Sequence, residues 1–344
     1  MSKFTVALII PTGIGAAIGG YAGDALPVAR TIASLCDRLI THPNVLNGAQ
    51  LYWSLDNTYY VEGYGLDRFA AGEWGLQPVK QNRIGLLLDK AIEPELRLRH
   101  IQAADAARAT LGLNLTDYVV TDADLEVELR TADSGASWGT IGNPGSLLRA
   151  AEKLIDLGGA EAIAVVARFP DEEGIELQNY RYGSGVDCLA GAEAVISHLI
   201  VRHFQIPAAH APALKPLAAD PQVSPRAAAE ELGYTFLPCV LVGLSRAPQF
   251  VTNASPDTIW SETVDIAIVP YSACGGSATL SFATSTKIIA VTNNSTAIEV
   301  PPEPLGIKVT KVNSYLEALG VLATYRAGVD FRALDPNIFS LRCL

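Results

Sequence analysis

Cysteine is scarce in this chain of 344 residues, and its spacing excludes two kinds of small-protein framework. The five cysteines are odd in number, lie far apart and include no C-x-x-C pair; they are Cys36, Cys188, Cys239, Cys274 and Cys343. Disulfide frameworks and zinc ribbons use paired or closely spaced cysteines, so neither is expected. Free thiols persist in a reducing compartment, and we therefore expect a cytoplasmic protein.

Basic charge is also in short supply. Lysine and arginine total 25 against 36 aspartates and glutamates, the formal net charge is −11, and no run of basic residues occurs. Proteins that bind nucleic acid need clustered cations to replace the counterions of the phosphates, so nucleic acid is not expected as a partner. An acidic chain can still hold a local basic pocket for a small anionic metabolite.

No apolar segment is suited to cross a membrane. Residues 4–23 carry no charge, but they include Pro11 and five glycines. In a helix each glycine costs about 1 kcal/mol and proline about 3 kcal/mol, so this segment predicts a buried strand followed by a glycine-rich loop. We expect neither a membrane partner nor an export signal.

The sequence is rich in apolar, strand-like runs that alternate with helical patterns. Strands are predicted at 4–10, 84–88, 117–121, 162–167, 240–244, 266–269 and 288–291, and helices at 24–40, 94–111, 144–157, 187–204, 225–233, 278–285 and 314–328. This alternation predicts an α/β protein of mostly parallel sheets covered by helices, with two Rossmann-like lobes. The Gly/Ser-rich stretch 132–145 predicts an N-terminal lobe of residues 1–135 and a C-terminal lobe of residues 136–344.

The loop after the first strand is the first candidate ligand site. Ligands of α/β sheets bind beyond the carboxyl ends of the strands, where backbone N–H groups attract anions. The predicted ligand-binding residues of this loop are Thr12, Gly13, Gly15, Gly19 and Gly20. Their spacing is similar to a dinucleotide fingerprint, but no helix follows directly, so a nicotinamide cofactor is not favoured and the cofactor stays open. The alternative is a tight structural turn.

A second candidate loop runs from Cys274 to Ser277 and precedes a predicted helix. A cysteine at a helix N-terminus has a lowered pKa, which predicts Cys274 as a nucleophile or general acid. Gly275, Gly276 and Ser277 are predicted to bind an anion, and Asn293 is a further predicted ligand after strand 288–291. The alternative for Cys274 is a small core residue.

Two arginines follow strongly apolar segments. Arg168 and Arg246 offer a planar fork that fits a carboxylate or a phosphate, and both are predicted ligand-binding residues. The alternative for Arg168 is an ion pair with Asp171 or Glu172.

Two histidines beside prolines are the acid–base candidates. His42 in Thr-His-Pro-Asn and His210 in Ala-His-Ala-Pro are predicted to lie in fixed loops, and Asp24 is either a helix cap or a catalytic base. Four acidic residues alternate along a predicted strand, and we interpret them as a solvated face rather than a metal site, so no metal is predicted: Asp122, Asp124, Glu126 and Glu128.

Several loops are distinctive in combination: 11–24 (PTGIGAAIGGYAGD), 41–44 (THPN), 185–187 (GVD), 209–212 (AHAP) and 234–239 (YTFLPC). With them the chain resembles, over nearly its whole length, a family of uncharacterised conserved proteins of cyanobacteria and plants that is described as a domain of unknown function. The resemblance implies a soluble protein of the cytoplasm or plastid. It implies no activity, so no residue role is taken from it.

A fainter resemblance concerns two-domain nucleotide-sugar transferases. Residues 19–27 are similar to their first glycine loop, and residues 265–291 are similar to their donor-binding β-loop-α-β unit. The acidic residue expected beyond that unit is missing unless Glu299 serves.

These patterns predict an enzyme that binds a small phosphorylated or carboxylated metabolite at glycine-rich loops, in a cleft between two α/β lobes. The substrate, the reaction and the oligomeric state, a homo-oligomer included, stay open. One alternative is a nucleotide-sugar transferase, and the other is a non-catalytic assembly or regulatory protein.

Overall fold

Short buried runs form the strands of the computed structural model, which describes residues 3–47, 51, 53–171, 174–231 and 237–341. The strands are β1 (Thr5–Leu8), β2 (Arg38–Thr41), β3 (Thr58–Tyr60), β4 (Gly75–Gln77), β5 (Ile84–Leu88), β6 (Leu115–Val120), β7 (Val127–Thr131), β8 (Ser137–Ile141), β9 (Ala162–Arg168), β10 (Ala208–Ala213), β11 (Gln249–Val251), β12 (Ile266–Pro270), β13 (Lys287–Val291) and β14 (Val309–Val312). Glu172, Cys343 and residues 234–236 of the YTFLPC segment lie outside the described residues.

Helices cover both faces of the strands. They are α1 (Leu26–Leu35), α2 (Pro43–Leu46), α3 (Gly63–Ala70), α4 (Pro94–Leu111), α5 (Pro144–Asp156), α6 (Ile175–Arg181), α7 (Ala190–Phe204), α8 (Pro225–Ala229), α9 (Leu237–Ser245), α10 (Ser277–Phe282) and α11 (Tyr315–Arg326). Among the described residues, no helix combines the length and apolarity that a membrane crossing requires.

Two parallel sheets organise the molecule, which confirms the predicted α/β class. The larger sheet has the order β14-β13-β12-β1-β2-β3, and the smaller has the order β10-β9-β5-β6. Strands such as β1 and β9 are buried along almost their whole length because helices pack on both faces of a parallel sheet. Two antiparallel pairs, β4–β11 and β7–β8, complete the strands of the described residues.

The order of the larger sheet reverses between β1 and β12. From β1 the sheet continues through β2 and β3 on one side and through β12, β13 and β14 on the other, which is the doubly wound order. The smaller sheet is inserted in the connection between those halves. Each sheet therefore takes strands from both sides of residue 135, and the division of the chain at that residue stays a prediction.

The predicted strand 240–244 is wrong, because these residues belong to helix α9. The segment is apolar throughout, so its period could not separate a buried strand from a buried helix. Seven of the nine residues of α9 are buried, since this helix packs between the two sheets. Gly243 allows this approach, because a Cβ atom there would lie 2.5 Å from the ring of Tyr60 in β3.

Three other predicted elements need correction. The predicted helix 24–40 ends at Leu35, because Cys36 is extended and the apolar pair Leu39-Ile40 belongs to strand β2. His210 lies in strand β10 and not in a loop, although Pro212 follows it, because β10 is an edge strand that pairs only with β9 among the described residues. The acidic strand 122–128 is wrong as well: Asp122 and Asp124 lie in the turn before β7, and only Glu128 is on that strand.

Candidate functional site

A cavity of about 910 Å³ lies where the two sheets face each other. Segments that follow β1, β2, β3 and β12 form one wall, so the carboxyl ends of four neighbouring strands of the larger sheet open into it. Residues of α4, α6, α7, α8 and β10 form the other walls. The volume is typical of a site for a small molecule.

Glu62 lies on the wall formed by the larger sheet. It precedes α3, and its Oε2 accepts hydrogen bonds from the backbone N–H groups of Tyr64 (2.8 Å) and Gly65 (3.2 Å). The side chain is 4% exposed, and this burial raises the pKa of Glu62 to about 8 although both N–H bonds oppose the rise. The carboxyl group is therefore mostly protonated at neutral pH.

Helix α7 and strand β10 bring a chain of polar groups to the opposite wall. The Ser197 hydroxyl lies 3.1 Å from Nδ1 of His210, and Nε2 of His210 lies 3.6 Å from Oε2 of Glu193. Glu193 and Ser197 stand four residues apart on α7 and so share one face of the helix. Ser197 is also close enough to Glu62 to oppose the rise in the pKa of that carboxyl group, so the two walls approach each other here.

His198 completes this cluster, and its Nδ1 lies 3.4 Å from Oε1 of Glu62. The same nitrogen donates a hydrogen bond to the carbonyl oxygen of Ala194, one turn earlier in the helix. Burial lowers the pKa of His198 to about 4, and the charge of His210 contributes to the shift. A neutral imidazole therefore faces a protonated carboxyl group. The pKa values of these two groups are displaced in opposite directions.

A second carboxyl group with a raised pKa lies elsewhere in the cavity. Oε2 of Glu230 accepts hydrogen bonds from the hydroxyl of Tyr180 and from the backbone N–H of Ala22 (3.3 Å). Burial raises the pKa of Glu230 to about 7 against the Tyr180 bond, and the nearby charge of Glu193 adds to the rise. Tyr180 of α6 and Glu230, the residue after α8, thus line the same cavity as Glu62 and His210.

His42 lines the cavity as predicted, but its hydrogen bond restricts what it can do. Its Nε2 accepts a bond from the backbone N–H of Ile10 (3.0 Å), so the proton of the neutral ring is on Nδ1. Burial lowers the pKa of His42 to about 4. This ring can donate a hydrogen bond to a ligand, but it cannot act as a base without losing its contact with β1.

The glycine loop uses many of its N–H groups within the protein. Ala17 donates to the carbonyl oxygen of Ser295 (2.9 Å), Ile18 to Oδ1 of Asn294 (2.8 Å) and Gly19 to Oδ1 of Asp24 (2.6 Å). These bonds support the alternative of a structural turn for this part of the loop. Thr12 lines the cavity.

The glycines of this loop serve close packing. A Cβ atom on Gly13 would lie 2.6 Å from the Ser137 hydroxyl oxygen, and one on Gly15 would lie 2.9 Å from the carbonyl oxygen of Gly185. Side chains on the remaining two would collide with Ile10 and with the backbone of Ala16; these are Gly19 and Gly20.

The start of α10 lies in the cavity wall, but Cys274 does not. Gly276 and Ser277 line the cavity, while the thiol of Cys274 is buried beneath them and donates to the carbonyl oxygens of Pro270 and Tyr271. Burial raises the pKa of Cys274 to about 11, in the direction opposite to the predicted one. Gly275 packs against Val300, and Asn293 is exposed and outside the lining.

Three charged residues that were predicted as site residues lie outside the lining of the cavity, and each is held in an ion pair. Arg168 pairs with Glu93 (3.0 Å) and with Asp171 (2.8 Å), the second of which was its predicted alternative. Arg246 pairs with Asp56 at the surface (3.3 Å). Asp24 does not cap α1: its Oδ2 pairs with Arg226 (2.7 Å), and burial raises its pKa.

The structure thus gathers Thr12, His42, His210, Gly276 and Ser277 at the cavity, and it adds several residues that were not among the predicted catalytic or ligand-binding residues. The added residues are Glu62, Tyr180, Glu193, Ser197, His198 and Glu230. The four-residue spacing of Glu193 and Ser197 is a local signal that places both residues on one face of a helix. Within the described residues, no group of three or more histidine, cysteine or acidic side chains is arranged to hold a metal ion.

Comparison with known proteins gives two matches. The profile of the family described as "Protein of unknown function (DUF3326)" matches residues 5–335. A protein of Synechococcus sp. named an uncharacterized lipoprotein is 62% identical over 339 residues, which cover 97% of this chain and 94% of that protein. No solved structure matches. The chain therefore belongs to the DUF3326 family of proteins of unknown function, as its loops predicted.

Proposed function

We propose that the protein is an enzyme that transfers protons to and from a small polar metabolite bound in the cavity between the two sheets. The observation that carries this proposal is a cluster of polar groups that lines a cavity of ligand size: Ser197 hydrogen-bonds His210 (3.1 Å), His210 lies 3.6 Å from Glu193, and His198 lies 3.4 Å from Glu62. Displaced carboxyl and imidazole pKa values in one cleft are typical of catalytic sites.

The residues divide the work by their surroundings. His210 is the general base, because its ring lines the cavity and is held there by Ser197 at Nδ1. Glu193, 3.6 Å from its Nε2, stabilises the charged ring that forms. Glu62 is the general acid, because it holds its proton at neutral pH. Ser197 positions the His210 ring through its hydrogen bond to Nδ1.

Solvent exchange tests this proposal without a known substrate. We expect the protein, incubated in D₂O with a metabolite extract, to introduce deuterium into or to consume one compound, which NMR detects. His210→Gln should slow this change by roughly 10²- to 10⁴-fold, the usual contribution of a general base. His203→Gln, on the exposed side of α7, is the matched control. An unchanged extract, or equal rates for His210→Gln and the parent protein, would contradict the proposal.

A nucleotide-sugar transferase is a second candidate, favoured by the doubly wound order of the larger sheet. The glycine loop weakens this candidate, because Ala17, Ile18 and Gly19 already donate their N–H groups to protein acceptors. Stabilisation by nucleotide sugars in a thermal-shift panel, without stabilisation by smaller metabolites, would favour the transferase.

We also propose that the protein works in the cytoplasm, which its free thiols at Cys36 and Cys274 support. The Synechococcus relative is named a lipoprotein, so a membrane-anchored location is the alternative. Fractionation of cells decides between them: we expect the protein in the soluble fraction, and recovery in the membrane fraction after a carbonate wash would contradict this.

A further inference from the structure

Each lysine and arginine that lines the cavity in the described part of the chain already has a carboxylate partner. Arg99 pairs with Glu95, Arg181 with Glu231 and Lys215 with Asp171, at distances from 2.7 to 2.9 Å. These pairs leave little positive charge for a ligand, because the carboxylate partner offsets the cation. An anionic ligand that binds one of these cations would compete with its carboxylate partner.

Three carboxyl groups of the cavity are in the opposite situation, those of Glu62, Glu193 and Glu230. Among the described residues, no lysine or arginine nitrogen lies within 4.0 Å of Glu62, Glu193 or Glu230. Glu62 is almost completely buried, and the Glu193 side chain is 15% exposed. An ionised carboxylate that is buried without a cation is costly, so such a group either keeps its proton or is paired with a cation.

We propose that the substrate carries a protonated amine, which binds beside Glu193 and Glu230 and supplies the cation that these carboxyl groups lack. This inference rests on the proposed function only in using the same cavity. It departs from the phosphorylated or carboxylated metabolite that the loops predicted, and the two ligand classes are the outcomes that the test separates.

Proton release provides one signature of such a ligand. Burial raises the pKa of both Glu62 and Glu230, so each is partly or mostly protonated in the empty cavity at neutral pH. A nearby ammonium group favours the charged carboxylate, so binding should expel protons into the solvent. An anion should instead cause uptake of protons or no exchange.

Three probes of equal length separate charge from size. They are 1,4-diaminobutane, 1,4-butanediol and succinate, titrated calorimetrically at neutral pH in two buffers of different ionisation enthalpy. We expect the diamine to bind with net release of protons, and the diol and succinate to bind at least about tenfold more weakly, a difference of about 1.4 kcal/mol. Equal affinity for the diol, tighter binding of succinate, or diamine binding with proton uptake would overturn the proposal.

Amide variants locate the ammonium group. Glu193→Gln and Glu230→Gln should each weaken diamine binding roughly 10- to 100-fold, which is the cost of losing a charged hydrogen-bond partner. Glu152→Gln, an exposed residue of α5 outside the lining, makes the same charge change and should leave affinity unaltered. Affinity that is unaltered in both cavity variants would refute the assignment.

The variant His210→Gln distinguishes this inference from the proposed catalysis. It should retain diamine binding, because it removes no carboxylate, while it loses proton transfer. Diamine binding without any deuterium exchange in the parent protein would sink the catalytic proposal and leave the amine site standing. Exchange into a substrate without an amine would do the reverse.

Discussion

Glu62 serves two roles with one carboxyl group. Its Oε2 caps the first N–H groups of α3, while the side chain lies 3.4 Å from His198 at the cavity. Glu62 was not among the predicted catalytic or ligand-binding residues, because a glutamate before Gly-Tyr-Gly gives no sign of burial. His42 and His210 were predicted from their prolines, yet only the tertiary contacts show that His42 is held by Ile10 and that His210 meets Ser197.

The raised pKa of Glu62 predicts a pH dependence of stability. Its pKa rises from 4.5 to about 8 on folding, so the folded protein binds more protons than the unfolded chain between these values. The free energy of unfolding should therefore fall as the pH rises through this window. His42 and His198, whose pKa values fall from 6.5 to about 4, destabilise the fold only as the pH drops below 6.5.

The range from pH 6.5 to 8 thus isolates the carboxyl groups. In urea titrations over this range, Glu62→Gln should flatten the decline by up to about 1.4 kcal/mol per pH unit, and Glu230 accounts for part of the slope that remains. Glu152→Gln is the matched control. Identical slopes for the parent protein and Glu62→Gln would show that the folded-state pKa is not raised.

At the scale of elements, periodicity located the elements with long apolar runs and missed short strands such as β3, β4 and β11. The strands at 84–88 and 266–269 and the helix at 94–111 lie where the apolar pattern placed them. Helix α9 was predicted as a strand because a segment buried on all sides has no polar face to mark its period. Its type is decided by the neighbours on both sides, which the local sequence does not contain.

A glycine-to-alanine change in α9 tests how closely this helix approaches β3, and the same change in α11 is its control. Gly243→Ala would place a Cβ atom 2.5 Å from the ring of Tyr60, so we expect it to lower the free energy of unfolding by about 1–3 kcal/mol. Gly320→Ala in α11 meets nothing within 4 Å and should raise it by about 0.5–1 kcal/mol. Urea titration measures both, and two changes of the same sign would contradict the packing described for α9.

At the scale of the whole molecule, one hydrophobic core joins the two sheets. Its largest cluster includes Leu8 of β1, Val166 of β9 and Leu241 of α9, all fully buried. The cavity therefore lies between sheets that share a core, and the walls that carry Glu62 and His210 are fixed relative to each other.

This shared core predicts cooperative unfolding. Leu241→Ala should cost about 2–5 kcal/mol and should shift the circular dichroism and tryptophan fluorescence transitions together, because both sheets lose packing against α9. Leu316→Ala, whose side chain is 80% exposed, should change stability by less than about 0.5 kcal/mol. Two separated transitions in the Leu241→Ala protein would mean that the sheets unfold as independent units.

The sequence by itself determined the α/β class, the parallel sheets, the positions of six strands (β1, β5, β6, β9, β12 and β13) and the family, because these depend on local periodicity and on motifs that are continuous in the chain. The tertiary structure decided the chemistry of the cavity. The charge state of Glu62, the burial of Cys274 and the satisfied N–H groups of the glycine loop all depend on neighbours distant in sequence. Burial and hydrogen bonding set a pKa, and neither can be evaluated before the segments of the chain have come together.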